Sequence, residues 1–191
     1  FTAPNATITG DLTVSGTTTT VNTTNTSISD NTIVLNSGET GAGVTHSDAS
    51  AGIEIERGTS LNTKLLWNES TNFFQFLAGS TPARLHVPAY SEAVVAESVS
   101  AGVVSLDLTQ ASIFTVSLTE NINSFSISGE QAGASTSFIL VLTQDTTGGR
   151  IVDLSSFLGR TVKWAGNVTP TVSTNPNATD IFLFTTFNGG T

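Results

Sequence analysis

Glu54 and Glu56 stand two residues apart in Ile53-Glu54-Ile55-Glu56. On a strand they would share one face, about 7 Å apart at roughly 3.3 Å of rise per residue. Carboxylates separated by about 5–9.5 Å can hydrolyse glycosidic bonds. That chemistry needs one acid with a raised pKa, and neither Glu has a neighbour in sequence that would raise it. The alternation reads more simply as a solvated strand face with Arg57 beside it, and no catalytic residue is expected.

His46, two residues before Asp48 in a Ser-rich loop, invites a Ser/His/Asp reading. No Gly-x-Ser-x-Gly elbow is present to position a nucleophile. His86 sits in Arg84-Leu85-His86-Val87-Pro88, a strand-like run ending at proline. Two isolated histidines and no cysteine argue against a His/Cys zinc site, so both read as loop surface or interface hydrogen bonding. Asp145 with Thr146, Thr147 and Gly148-Gly149 could place oxygens around calcium, but one carboxylate is too few for a shell of six to eight oxygens. That segment reads as a turn. It is not a phosphate loop either, since no Lys-Ser/Thr follows and no helix opens there. No metal and no cofactor are expected.

Trp67, Trp164 and Tyr90 are the residues with which a protein would bind sugar, a ring against the apolar face of a pyranose. Core packing is the default for a Trp in a strand. Trp164, beside Lys163 and Gly166-Asn167, is the preferred glycan contact, with Asn167 as its polar companion. The six Asn-x-Ser/Thr sequons, at Asn5, Asn22, Asn25, Asn68, Asn167 and Asn177, are what so much Ser and Thr gives by chance.

The elements that must carry these residues follow from composition. Charged residues are 11% of the 191, under half the ordinary fraction of about 25%. Ser and Thr, about three residues in ten, take the vacant surface. Thr is β-branched and favours strands, so extended structure is expected. A net charge of −9 with six Lys and Arg repels phosphates and excludes nucleic acid as a partner. No apolar run reaches about 18 residues, so no membrane insertion is expected. No basic, then apolar, leader is visible. The chain opens on Phe1-Thr2-Ala3-Pro4 without Met, the expectation being a piece of a longer polypeptide or a processed product.

Residues 1–38 read as a β shaft and oligomerisation segment. Ile8, Leu12 and Val14 share a parity, and Val21, Ile28 and Ile33-Val34-Leu35 continue between Thr and Asn runs. Two or three apolar groups per strand cannot offset roughly 1–2 kcal/mol of backbone entropy per residue, so this block needs partner copies. Residues 39–88 read as a small β-unit. Its first strand points isoleucines in and carboxylates out, and a hairpin joins Leu65-Leu66-Trp67 to Phe73-Phe74-Gln75-Phe76 through residues 68–72. Residues 89–103 contain Ser91-Glu92-Ala93-Val94-Val95-Ala96-Glu97 and read as a linker or short helix. Residues 104–191 read as a β-sandwich. Leu106/Leu108, Phe114/Val116/Leu118, Phe125/Ile127 and Phe138/Leu140/Leu142 alternate at spacings near ten residues, the pattern of a sandwich or barrel.

Several of these stretches resemble a family. Gly10-Asp11-Leu12-Thr13-Val14-Ser15-Gly16-Thr17, followed by Asp30-Asn31-Thr32-Ile33-Val34-Leu35-Asn36, is similar to shaft segments of tail-fibre proteins of tailed, marine-type bacteriophages. Gly52 to Gly58, then Leu65 to Glu69 and Phe76, is similar to the unit that often follows. Thr143-Gln144-Asp145 through Gly148-Gly149-Arg150, Lys163-Trp164 and Phe184 to Gly190 resembles a β-domain recurring in phage fibres. The resemblance implies a homotrimeric virion appendage, joined to other virion proteins, that contacts host surface glycans, and it carries over no site residue.

The expected fold class is therefore all-β: an elongated Thr-rich shaft, a small β-unit and a C-terminal β-sandwich, intertwined as a homotrimer. The expected function is a non-enzymatic structural fibre component. Rival readings are a monomeric carbohydrate-binding or adhesin module and a polysaccharide depolymerase.

Overall fold

The structure is a computed structural model that describes residues 8–14, 21, 25–45, 47–187 and 189. The Thr17–Thr20 run, His46 and the sequons at Asn5 and Asn22 lie outside them. The chain divides into two compact units, Phe1–His86 and Val87–Thr191. Both are built from strands, and none of the sheets closes on itself.

In the first unit, β1 (Ser50–Ile55), β2 (Thr63–Asn68), β3 (Phe73–Ala78) and β4 (Thr81–Pro82) form an antiparallel meander in that order. The hairpin between β2 and β3 turns on Asn68. Its side-chain oxygen accepts the N–H groups of Ser70 (3.0 Å) and Thr71 (3.2 Å), while its carbonyl accepts that of Asn72 (2.8 Å), an Asx-type turn. Gly52 lets β1 approach β2, because a Cβ there would collide with the Leu65 carbonyl oxygen.

No described residue of this unit is buried. Ile53 and Ile55, expected to point inward, are 58% and 61% exposed. Ile33 and Leu35 approach this sheet at a cavity lined by Ile53, Leu65, Trp67 and Phe74, but no second sheet covers it, so the strand period has no enclosed inside to point to. Nor do the described residues of the expected shaft form strands: Ile8, Leu12, Val14, Val21, Ile28, Ile33, Val34 and Leu35 are all exposed and unpaired by any ladder. Within one chain they have no neighbouring strand to complete their hydrogen bonds.

The second unit has two facing layers. One sheet runs β10-β9-β7-β5, from β10 (Thr179–Phe187), β9 (Ser135–Gln144), β7 (Ile113–Leu118) and β5 (Val94–Glu97); the other pairs β6 (Val103–Asp107) with β8 (Ser124–Ser128). From β5 to β9 the chain changes layer at every step. Each return is parallel: β5 pairs β7, β7 pairs β9, and β6 pairs β8. Parallel bridges Ile122–Val152 and Phe125–Phe157 add the next pass to the smaller layer. Only β10 closes antiparallel, on β9.

Val94–Glu97, read from the sequence as linker or helix, is the edge strand β5. Its pairing with β7 satisfies the backbone that a helix would have satisfied internally, and it turns Val95 onto the core. Phe114, Val116 and Leu118 of β7, Phe138, Leu140 and Leu142 of β9, and Val104, Leu106 and Phe125 of the opposing layer are each at most 2% exposed. Phe125 stacks on Phe157 (4.9 Å) and Phe138 on Phe184 (5.0 Å).

Gln144, 2% exposed at the end of β9, is the polar stitch in this core. It donates to the carbonyls of Arg150 and Ser173 (both 2.8 Å) and accepts the Arg150 N–H (3.0 Å). Every polar atom of the amide is used, which makes burial tolerable.

Candidate functional site

The sequence candidates separate in space. Glu54 lies on β1 with Asn62 donating to it (2.8 Å) and Lys64 at 3.1 Å. Those two partners, Asn62 first, lower its pKa, the reverse of what a general acid requires. Asp145 turns its oxygens inward on its own loop. Oδ1 accepts the N–H groups of Thr147 (2.9 Å) and Gly148 (2.7 Å), and Oδ2 faces the Arg150 guanidinium (2.6 and 3.1 Å). The Arg150 hydrogen bonds, ahead of the backbone ones, hold its pKa down. Among the described residues no group of three or more His, Cys, Asp and Glu is placed to hold a metal ion.

The aromatic candidates diverge too. Trp67 donates its indole N–H to Glu69 (2.8 Å) and meets Phe74 edge-on at 5.3 Å. Tyr90 is 76% exposed. Trp164 is half-buried, edge-on to Phe184 (5.4 Å) and Phe182 (6.3 Å). Asn167, at the end of the short 3-10 turn Ala165–Asn167, points into solvent with φ of 58°.

Trp164 lines a cavity of about 710 Å³ between β10 and the segment 157–165, and Asn167 does not. The apolar walls are Phe157, Trp164 and Phe184, with Lys163 and Thr186 at the polar positions. Arg160 and Glu130 also line it and are joined at 2.8 Å, the Glu130 side chain being 6% exposed. Burial alone would push Glu130 up, but the Arg160 hydrogen bond, a backbone N–H and the Arg160 charge together bring it below its ordinary value. Two buried polar atoms of the lining residues, the Trp164 indole N–H and the Thr186 hydroxyl, have no hydrogen-bond partner. The sequence singled out Trp164 by type; Thr186 and Glu130 come from distant segments that only the fold assembles.

A second surface is uncharged. The outward positions of the larger sheet are Thr179, Ile181, Leu183, Thr185 and Phe187 on β10; Ser135, Ser137, Ile139, Val141 and Thr143 on β9; Ile113, Thr115 and Ser117 on β7; and Val94 and Ala96 on β5. None carries a charge, in a chain of net −9. Leu183, Ile139, Ile113 and Val94 make one apolar row in register across all four strands.

The second unit is an all-β domain of two facing layers with parallel returns between them. Residues 103–190, from the first residue of β6 to beyond β10, match the family model described as putative phage tail fibre C-terminal domain. No curated protein and no solved structure matches the chain. That match supports a tail-fibre-like phage protein with a structural role in a fibre. Its place is the virion, on a particle-surface appendage and in association with other virion components.

Proposed function

We propose that this chain is a non-enzymatic, rigid spacer of the fibre, in which three identical copies complete one another's interiors and so support attachment to the host surface. The observation that carries this is the first unit. Sixteen large hydrophobic residues from Ile8 to Leu85 are exposed there, while no described residue is buried.

The surface area supports the same reading. The chain exposes 13935 Å². A compact monomer of its mass exposes about 8,600 Å², and two compact halves together about 10,300 Å². The sixteen exposed hydrophobic side chains of the first unit would gain by packing, at about 25 cal/mol per Å² of apolar area. Because every copy carries −9, contact between identical chains is least opposed where charge is absent, and the outer face of the larger sheet meets that condition.

Light scattering of the full chain is the test. A mass three times the 19.7 kDa of one chain is expected, and a monodisperse 19.7 kDa species would overturn the proposal in favour of a monomeric binding module. For the non-enzymatic part, the chain should release no new reducing ends from host capsule polysaccharide. Release that disappears in Glu54→Gln would establish a depolymerase instead.

A further inference from the structure

We propose that the outer face of the β10-β9-β7-β5 sheet is a contact surface for the same face of two further copies, the three faces closing around one axis into a core that no single chain contains. This rests on the three-copy reading above and assigns it a surface in the second unit.

Three features of the sheet support it. The strands are apolar on both sides. Leu183, Ile139, Ile113 and Val94 form one outward row, and Ile181 and Val141 lie in the row beside it. Leu183, Ile181 and Val94 are 70%, 67% and 59% exposed. Strands with a second apolar side belong under another layer, and a contiguous apolar patch marks an interaction surface. The charged residues of these four strands, Glu97 and Asp180, both fall on the opposite parity. A charged partner has nothing to pair with on this face, whereas a copy of the same acidic chain meets no repulsion there. The hydroxyls flanking the apolar rows are already paired within the sheet: Ser137 with Thr185 at 3.0 Å, and Thr143 with Thr179 at 3.1 Å. A hydroxyl that keeps a partner loses less on leaving water than one served by water alone.

Dimensions favour three copies. Four strands at about 4.8 Å make a face roughly 19 Å wide, and a triangle of that side holds its axis about 5 Å from each sheet. Stacked sheets lie about 10 Å apart, so each layer fills about 5 Å with its side chains. Three such faces thus enclose the space that their own outward residues fill, and a cyclic arrangement gives every copy the same surroundings.

The test is positional cross-linking of the full chain. The chain has no cysteine, so Ser117→Cys gives one thiol per copy, at an exposed position of the face on β7, one of its two middle strands. A short bis-maleimide should join copies in pairs, seen on a denaturing gel as a band at twice the 19.7 kDa of one chain. Ser105→Cys, exposed on β6 in the other layer, should give only the background of chance collisions. Leu183→Asp added to Ser117→Cys brings three like charges together and should abolish the band, with the far-UV circular dichroism retained. Light scattering of Ser117→Cys reads the copy number separately. A threefold mass without the band, or equal bands at 117 and 105, would overturn this face and leave the three-copy spacer standing. A band that survives Leu183→Asp would overturn it too. A twofold mass would overturn closure around a threefold axis, and a single-chain mass would overturn this inference together with the spacer.

Discussion

The two units use the same residues to opposite ends. In the second, alternation gives each sheet an inner side, and Phe114, Phe125, Leu140 and Leu142 are fully enclosed. In the first, Ile53, Ile55, Phe74 and Phe76 alternate just as regularly yet remain open. What differs is the presence of a second layer. Chain winding places β6 and β8 opposite β7 and β9 in the second unit, whereas a meander of β1 to β4 has only its own plane. Strand periodicity thus says that one side wants covering, and topology decides whether the same chain can cover it.

The largest effect expected from breaking this contrast is in the wound core. Phe125→Ala removes a ring stacked on Phe157 from a site with no exposure, and should cost about 3–5 kcal/mol. Chemical denaturation with far-UV circular dichroism should show the loss in the second unit. The equivalent truncation in the first, Phe76→Ala, should leave the unfolding of a monomer within about 0.5 kcal/mol, as for surface positions. Equal losses would mean that both units own a core within one chain.

Next comes the stitch. Gln144→Leu keeps the bulk but leaves two carbonyls and one N–H unmet. A loss of about 3 kcal/mol is expected, roughly 1 kcal/mol for each of the three groups, the low end of the range because Arg150 and Ser173 are not fully buried. A neutral result would show that water replaces the amide, so that the loop after β9 is open to solvent.

A third variant sharpens the comparison from the other side. Phe74→Asp, at a position 69% exposed, should change monomer stability little but place a charge where copies are proposed to meet. The mass by light scattering should fall towards one chain, with the near-UV spectrum of the second unit retained. An unchanged mass would move the contact between copies away from β3.

The readable parts of this molecule are those whose signal is local. Phe114/Val116/Leu118 and Phe138/Leu140/Leu142 announced inward faces because burial follows the side-chain period of two. Which strands pair was not legible: β7 lies parallel to β9 across a whole intervening pass, and nothing in a local window encodes a partner so far along the chain. Val94–Glu97 misled because Ala and Glu favour helix weakly, and a four-residue edge strand is decided by its neighbour rather than by propensity. Gln144 could have been found, since it shares the parity of Phe138, Leu140 and Leu142. A polar residue on an inward parity calls for internal partners. Trp164 was visible as a type, but Asn167, next in the motif, faces away, because the turn at Gly166 reverses the chain between them.

The smallest expected effect concerns acid. Glu39 in the first unit accepts the Thr45 hydroxyl and backbone N–H and the Gly41 N–H, with Thr45 contributing most, and its pKa is lowered to about 2. A carboxylate whose folded pKa lies below its unfolded value stabilises the folded loop above the unfolded pKa, and that contribution fades as pH falls towards the folded one. Protection of Gly41 and Thr45 from hydrogen exchange, taken relative to the unfolded-chain rate at the same pH, should therefore fall between about pH 4.5 and pH 2. In Glu39→Gln that protection should be low and flat across the window. Glu39 is fully exposed, so the change should stay within residues 39–45 and leave the Phe125 core protected. If the core amides of the second unit quicken over the same range in Glu39→Gln as in the parent, their acid response belongs to Asp107, Asp145 and Asp153, whose pKa values are likewise lowered. Core protection that tracks Glu39 instead would show that the two units unfold as one.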